Sequence, residues 1–489
     1  MHPQPRPPQA GKTIFATSTS PWDFMPDYIR GERSEHAVGI DDTDRLFHMH
    51  IVGKTGTGKS TLLKMLMQQD LSRGHGFALL DPHGDLAEEV LDGVPKSRIQ
   101  DVVYLNPADT DFPMPFNILE AVDEAQHHLI AAGLVSIFKR FWAESWGPRT
   151  EYLIKNAVLA LLEAPGTTLL DVPRILIDDA FRNQVVSHLH NPVVSRFWKQ
   201  EYAAYSPSFR EEVIAPIQNK VGEFTMTPLV RNIVGQRKNL FELRKLMDEG
   251  KVLVVNLAKG ALGEDTAALL GSMILTRIML AAFTRQNIPE RDRRPFFLYV
   301  DEFPSFATQA TMSTLLSEAR KYKVGLVLSH QYLAQLSDDL RGAIFGNVGT
   351  TISFKLGAED AEYMAREFSP VAVEEIAGLD QHHIFIRLKV GDTTSHPFTA
   401  KTLLPPQTAT SQRDQIVRWS RQYYARPRAV VERDAANSAL SDRVASLARR
   451  TSGGSAEVGV SRPRRAVSGV TGRKARPAIP QPPQGLLGP

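Results

Sequence analysis

Short apolar runs alternate with segments of helical periodicity in two separate parts of the chain. The runs are nearly continuous in Val, Ile, Leu and Phe, which is typical of strands buried on both faces. The predicted strands are 49–52, 77–80, 101–107, 251–258, 295–303, 324–331, 350–356 and 383–390. Helical stretches separate most of them. This alternation predicts an α/β fold with a mostly parallel sheet covered by helices on both faces.

The region between the two parts has a different pattern. Helical periodicity dominates residues 120–248, and strand-like runs are few there. We therefore predict an all-α domain inserted between strands of the sheet, and expect its aromatic residues to form a core rather than to stack on bases. The predicted organisation is a leader with a small β lead-in (1–44), the α/β domain in two parts (45–119 and 249–404) around the insertion (120–248), a helical extension (405–450) and a disordered basic tail (451–489).

A glycine-rich turn follows the first predicted strand and leads into a helix. It fits the P-loop pattern G-x-x-x-x-G-K-[ST], in which backbone N–H groups and the helix N-terminus bind phosphates. The predicted nucleotide-binding residues are Gly53, Lys54, Thr55, Gly56, Thr57, Gly58, Lys59, Ser60 and Thr61. Lys59 is expected to reach the β- and γ-phosphates of ATP, and the Ser60 hydroxyl to ligate Mg²⁺.

Polar residues also follow three other predicted strands. Asp301 and Glu302 come directly after an apolar run, which predicts that Asp301 holds Mg²⁺ and that Glu302 activates the attacking water. Gln331 is predicted to sense the γ-phosphate or position water, in preference to His330. The remaining pair, Asp81 and Asp85, either supports the metal or caps a helix.

One arginine lies where it cannot serve its own P-loop. Arg320 precedes a predicted strand, so it is expected at the amino-terminal edge of the sheet, away from its own phosphates. If it acts in catalysis, it acts on a neighbouring subunit's ATP, which requires an oligomer. A solvated cation at a helix end is the alternative. Arg341 is a weaker second candidate.

Composition adds two constraints. The chain has 489 residues and no cysteine, which excludes disulfides, thiolate metal sites and cysteine nucleophiles and fits a cytoplasmic protein. Residues 426–489 hold 12 basic and 4 acidic side chains, a net +8, so the overall +3 leaves −5 for the rest. The tail either contacts DNA or serves as a solvating segment. The apolar stretch Leu269–Phe283 is interrupted by Arg277 and predicts a buried helix rather than a membrane span.

Several stretches together resemble one family. They are HMHIVGKTGTGKSTLL, FALLDPHGD, FFLYVDEF, SEARKYKVGLVLSHQYLAQL and FGNVGTTISFKLGAEDAEYMAREF. They are similar to the HerA/FtsK superfamily of DNA-pumping ATPases, and most similar to the ATPase region of type IV secretion coupling proteins of the TraG/TraD kind. The resemblance implies a RecA-like additional-strand ATPase domain with an inserted all-α domain, a hexameric ring with ATP at subunit interfaces, and DNA as the translocated partner. The family's finger position falls on Arg320 and its polar sensor on Gln331.

The leading expectation is therefore an ATP-driven DNA translocase of conjugative or mobile-element transfer. Membrane-anchored coupling proteins begin with transmembrane helices, and none is found in this sequence. The expected location is thus cytoplasmic, or peripheral to the inner membrane through partners such as a relaxase or secretion-channel proteins. The alternatives are a HerA-like helicase-translocase in DNA repair or phage defence, and an ATPase or nucleotide switch acting on protein partners.

Overall fold

The chain folds around a large mixed β-sheet. Its structure, a computed structural model, describes residues 11–18, 36–120, 123–406 and 410–437. The strands are β1 (Lys12–Ser18), β2 (His36–Asp41), β3 (Met49–Val52), β4 (Gly76–Asp81), β5 (Val102–Leu105), β6 (Val252–Asn256), β7 (Phe296–Val300), β8 (Val324–His330), β9 (Thr350–Ser353), β10 (His383–Arg387), β11 (Lys389–Val390), β12 (Thr393–Thr394) and β13 (Phe398–Thr402).

Most neighbouring strands of this sheet run parallel. The order is β2-β1-β13-β10-β9-β3-β8-β7-β4-β6-β5, and the strands from β9 to β5 are all parallel to one another. At the β9 side, β10, β13, β1 and β2 continue the sheet with antiparallel pairing. Strands β11 and β12 form a separate hairpin. The parallel part confirms the predicted fold class, and its carboxyl ends meet at one edge of the sheet.

The parallel strands are buried on both faces because their side chains alternate between two hydrophobic clusters. In β7, Phe296, Leu298 and Val300 belong to one cluster, while Phe297 and Tyr299 belong to the other. A strand between two apolar layers has no solvent-facing side, so its sequence is apolar throughout. This explains why these strands could be recognised as uninterrupted apolar runs.

Helices cover both faces of the sheet. They are α1 (Asp42–Arg45), α2 (Lys59–Arg73), α3 (Asp85–Asp92), α4 (His127–Phe141), α5 (Pro148–Glu163), α6 (Asp171–Ile177), α7 (Asp179–Val186), α8 (Pro192–Arg196), α9 (Pro207–Met226), α10 (Pro228–Val234), α11 (Leu243–Glu249), α12 (Lys259–Leu262), α13 (Glu264–Phe283), α14 (Gln309–Glu318), α15 (Asp338–Asn347), α16 (Ala358–Glu367), α17 (Val373–Ala377) and α18 (Arg413–Tyr424), with a further helix at 428–437. Buried residues of α2, α3 and α18 join the cluster of Phe297 and Tyr299. The other face is covered by α13 to α16 and by the helices between β5 and β6.

The described part of the segment between β5 and β6 contains helices α4 to α11 and no strand. Phe138, Phe197 and Trp198 are buried there, and they belong to the same hydrophobic cluster as one face of the sheet. Helix α13 packs against α4 and α11 of this segment and contributes buried residues to the same cluster. In the described part of the chain one helical stretch, 264–287, is long and apolar enough to cross a membrane, with 78% of its apolar window buried.

Two details differ from the sequence-based expectation. The run 383–390 was predicted as one strand, but Leu388 separates β10 from the small β11–β12 hairpin. The predicted lead-in strand region also contributes β1 and β2 to the far side of the sheet rather than running directly into β3. The predicted basic tail, 451–489, lies outside the described residues, as does much of the leader.

Candidate nucleotide site

The glycine-rich turn connects β3 to α2 in a conformation that requires glycine. Gly56 and Gly58 have φ of +78° and +117°, which side chains disfavour. A Cβ on Gly53 would lie 2.5 Å from the Phe354 Cβ. Helix α2 has no side-chain cap, and its first described internal bond is Leu62 N–H to the Gly58 carbonyl. The N–H groups of the first turn are therefore available to an anion.

Lys59 lies inside this turn. Its ammonium group donates to the Gly53 carbonyl at 2.5 Å and to the Lys54 carbonyl at 3.1 Å. Burial lowers its pKa, an effect that the charges of Asp301 and Glu302 oppose. The Lys59 ammonium thus lies among the P-loop carbonyls and feels the charges of two carboxylates. Phosphate oxygens and Mg²⁺ would bind in the same region.

Asp301 and Glu302 follow β7 at the same edge of the sheet. The Asp301 N–H donates to the Leu80 carbonyl at 3.1 Å, which fixes the chain against β4. Burial, and then the nearby charge of Asp81, raise the pKa of Asp301 to about 6. Glu302 has φ of +46°, and its Oε1 accepts a hydrogen bond of 2.5 Å from Gln335 Nε2. A buried carboxylate whose charge is disfavoured would gain from a bound cation.

The residues after β8 also reach the P-loop. Thr55 Oγ1 donates to Gln331 Oε1 at 2.9 Å, so the predicted sensor touches the phosphate-binding turn. The Gly53 N–H donates to the His330 carbonyl at 3.3 Å, which joins the start of the turn to the end of β8. His330 itself is fully buried and pairs with His50 through their Nε2 atoms at 2.8 Å. Its ring therefore links β3 to β8.

Asp81 and Asp85 take different positions. Asp81 accepts from the His83 N–H at 2.9 Å and the Ala87 N–H at 2.8 Å, and so caps the start of α3. Asp85 is exposed on the first turn of that helix. The capping alternative thus describes Asp81, although its charge still acts on Asp301.

The two arginine candidates lie apart from these groups. The guanidinium of Arg320 is 4.1 Å from the centre of the Phe47 ring, just before β3, whereas the P-loop follows β3. Arg320 is exposed and forms no ion pair with any described residue. Arg341 instead forms an ion pair with Asp338 and lies over the Tyr363 ring. The structure therefore places Arg320, and not Arg341, as an unpaired cation at the opposite edge of the sheet.

Three contacting residues were missed by the sequence reasoning. Gln335 binds Glu302, and Gln381 and His382 touch the P-loop backbone. Gln335 had a weak signal, because it lies only four residues beyond Gln331 after the same strand. Gln381 and His382 had none, since they are far from the P-loop in sequence and precede an ordinary strand.

A parallel sheet with a P-loop, an Asp-Glu pair and a glutamine that contacts the P-loop at one edge defines a P-loop NTPase fold. Residues 37–378 match the family model described as the type IV secretion-system coupling protein DNA-binding domain. The match covers well over half of the chain, so the protein belongs to this family of coupling proteins. This confirms the resemblance drawn from the sequence, and the two alternative functions are not favoured.

Several solved structures have the same fold. The bacterial conjugative coupling protein TrwBdeltaN70 matches with a TM-score of 0.54 and 18% identity, over 77% of this chain and 89% of that one. The plasmid coupling protein TrwB with a non-hydrolysable ATP analogue gives 0.54 and 17%, over 76% and 88%. VirB4 of Thermoanaerobacter pseudethanolicus gives 0.53 and 15%, over 76% and 94%. No curated protein sequence matched the chain.

Proposed function

We propose that this protein is an ATP-driven DNA translocase that serves conjugative or mobile-element DNA transfer. The observation that carries the proposal is the convergence of the P-loop, Asp301–Glu302 and Gln331 at one sheet edge, within a coupling-protein fold. TrwB has been solved with an ATP analogue and with ADP and Mg²⁺. The same ligands fit the buried carboxylates and the free helix N-terminus of this chain.

Each group has a role in hydrolysis. The backbone of residues 53–61 would hold the phosphates, with Lys59 on the β- and γ-phosphates and Ser60 and Asp301 as ligands of Mg²⁺. The metal would supply charge neutralisation for phosphoryl transfer. Glu302 would orient and deprotonate the attacking water, and its hydrogen bond to Gln335 fixes the carboxylate for that task. Gln331 would contact the γ-phosphate or position water, and its hydrogen bond with Thr55 would connect it to the P-loop.

Arg320 would complete the site of a neighbouring subunit. Its guanidinium is exposed, rests on Phe47 and lies at the edge of the sheet opposite to its own P-loop. A ring places this edge of one subunit against the nucleotide of the next, so the proposal includes a homo-oligomer, with a hexamer as the expected form. DNA would pass through the central channel of the ring. The protein would hold it mainly through its phosphates, without base specificity.

The decisive experiment measures the ATPase rate with and without double- and single-stranded DNA, at fixed moderate salt and several protein concentrations. A DNA motor with shared sites should be strongly stimulated by DNA, and its specific activity should rise steeply with protein concentration. Glu302→Gln should bind ATP and hydrolyse it slowly, which serves as the control for contaminating activity.

Other outcomes would redirect the proposal. Turnover that is indifferent to DNA would indicate an ATPase acting on protein partners. Normal turnover by Lys59→Ala would remove the P-loop assignment altogether. A relaxase or secretion-channel protein recovered in a stable complex would support the transfer role, whereas a nuclease partner would favour a repair or defence role. Such partners would also provide the proposed peripheral attachment to the inner membrane.

A further inference from the structure

The N–H groups of a P-loop bind phosphate oxygens, so the carbonyl groups of the loop need donors of their own. Three of these carbonyls are satisfied from within the motif. The Gly53 and Lys54 carbonyls accept from the Lys59 ammonium, and the Gly58 carbonyl accepts from Leu62 N–H. These bonds do not involve the Gly56 and Thr57 carbonyls, which accept from another part of the chain.

A distant turn, residues 380–383, supplies those donors. Gln381 Nε2 donates to the Gly56 carbonyl at 3.0 Å, and the His382 N–H donates to the Thr57 carbonyl at 2.9 Å. We call this turn the 380–383 clamp. Two successive outward carbonyls of the phosphate-binding loop are thus fixed by two successive residues of the clamp.

The clamp is also packed against the loop. A Cβ on Gly58 would lie 2.6 Å from His382 Nδ1, so the imidazole occupies the space that only a glycine leaves open. His382 has φ of +65°, and its Nδ1 is buried with no hydrogen-bond partner among the described residues. The interaction that this ring makes with the P-loop is therefore packing against Gly58.

The other side of the clamp is anchored in the sheet. The His382 carbonyl accepts from Thr402 N–H at 2.8 Å and from the Thr402 hydroxyl at 3.3 Å. Thr402 ends β13, and the clamp leads directly into β10, which pairs with β13. The conformation of the P-loop is therefore tied to the antiparallel side of the sheet.

We propose that Gln381 and His382 are positioning residues that preorganise the P-loop for the triphosphate. This inference rests on the proposed nucleotide site and adds residues to it. Among the described residues, the contacts of the clamp with the P-loop are to the Gly56 and Thr57 carbonyls and to Gly58. Its loss should weaken the binding of ATP and ADP by the same factor, because both ligands use the same ordered loop. The turnover of bound ATP should change little, since Glu302 and Asp301 are held by other contacts.

The test measures the dissociation constants of fluorescent ATP and ADP analogues together with steady-state kinetics. Gln381→Met keeps the side-chain length but cannot donate, and should raise both dissociation constants and the KM for ATP about three- to tenfold, a loss of the size of one hydrogen bond. His382→Gly should have a similar effect through loss of the ring contact. His382→Asn, which tolerates the positive φ and keeps some packing, should lie between His382→Gly and the parent protein.

Lys401→Ala provides the matched control. Lys401 is exposed on β13 and pairs with His383. Among the described residues it forms no hydrogen bond or ion pair with the P-loop. The nucleotide affinity of Lys401→Ala should therefore equal that of the parent protein. Unchanged dissociation constants in both Gln381→Met and His382→Gly would overturn the proposal. A fall in kcat without a change in affinity would overturn it as well. If Lys59→Ala also bound nucleotide normally, the nucleotide site itself would be the failed assignment.

Discussion

At the scale of single residues, Arg45 is a fully buried cation whose closest carboxylate is that of Asp70, with Asp42 3.7 Å away. Its guanidinium donates to both oxygens of Asp70, at 2.6 and 2.9 Å, and lies 3.6 Å from the centre of the Phe297 ring. Tyr299 donates its hydroxyl to Asp70 as well. Burial alone would raise the pKa of Asp70, but Arg45 and these hydrogen bonds hold it well below its usual range.

Arg45→Met should therefore remove the closest cation from the buried Asp70 carboxylate and leave Arg73, 3.8 Å away, as its remaining arginine neighbour. We expect the free energy of unfolding to fall by about 3–5 kcal/mol, as for other broken buried pairs. Urea unfolding at pH 7 measures this loss. Lys12→Ala removes an exposed ion pair with Asp41, whose side chains are 49% and 46% exposed, and should cost less than about 1 kcal/mol. Equal losses in the two variants would contradict the role given to the buried pair.

At the scale of elements, a buried histidine pair joins β3 to β8. His330 Nδ1 lies 3.0 Å from the Tyr332 carbonyl and must carry a hydrogen to donate to it. In the neutral ring Nε2 is then an acceptor, so the hydrogen between the two rings belongs to His50 Nε2. His50 Nδ1 is left as a buried acceptor without a hydrogen-bond partner among the described residues. The pair is thus held by a single hydrogen bond between two neutral rings.

This pair predicts a loss of stability in mild acid. Burial lowers the pKa of His330 to about 4 and that of His50 well below 6.5, whereas both rings regain ordinary values on unfolding. A depressed pKa in the folded state gives stability that is present above pH 6.5 and is lost as the pH falls toward about 4. Urea unfolding between pH 7.5 and 4.5 should show this decline.

A double variant isolates the cause. His50→Leu with His330→Leu removes both titrating rings and should flatten the dependence of the free energy of unfolding on pH. His190→Gln removes a histidine that is 85% exposed and should leave the dependence unchanged. His48 has a pKa lowered by burial to about 4 and remains in the double variant, so a residual slope is expected. An unchanged slope would show that other groups control the acid response.

The elements that could be predicted from sequence are those whose burial is visible locally. Strands β3, β4, β7 and β8 are buried on both faces and appear as apolar runs. Strand β13 has only a partly buried pattern and acquires its place by pairing with β1, nearly four hundred residues away in the chain. No local pattern specifies such a pairing.

The same contrast holds within the site. The P-loop glycines, Lys59 and Asp301 were predictable because their residue types follow from phosphate and metal chemistry at fixed spacing. Gln381 and His382 act through the donors they offer to loop carbonyls, and any residue offers a backbone N–H. Their contribution depends on the position of the turn in the fold, and no local sequence pattern indicates that position.

At the scale of the whole molecule, the inserted helical segment and the α/β domain share one core. Phe138 and Ile154 of the insertion belong to the same cluster as Leu298 and Leu328 of the sheet, and the apolar helix α13 packs against α4 and joins this cluster. A helix that is apolar on all sides needs protein on all sides. The insertion is therefore part of the structural support of the sheet, and any role in substrate recognition is added to that support.

The position of Arg320 makes a prediction that only an assembly can satisfy. Arg320→Ala should abolish or strongly reduce hydrolysis, because an arginine finger contributes about 10³–10⁵ in rate. Lys59→Ala subunits should also be inactive.

In a mixture of Arg320→Ala and Lys59→Ala subunits, an interface between the P-loop edge of an Arg320→Ala subunit and the Arg320 of a Lys59→Ala subunit contains an intact site. Mixed samples should thus regain ATPase activity, with a maximum at intermediate ratios. Lys321→Ala is the control, because it removes a neighbouring cation that is paired with Glu318. This variant should be active without mixing. If mixed oligomers form, as shown by co-purification of differently tagged subunits, and no activity returns at any ratio, Arg320 does not act on the neighbour's nucleotide.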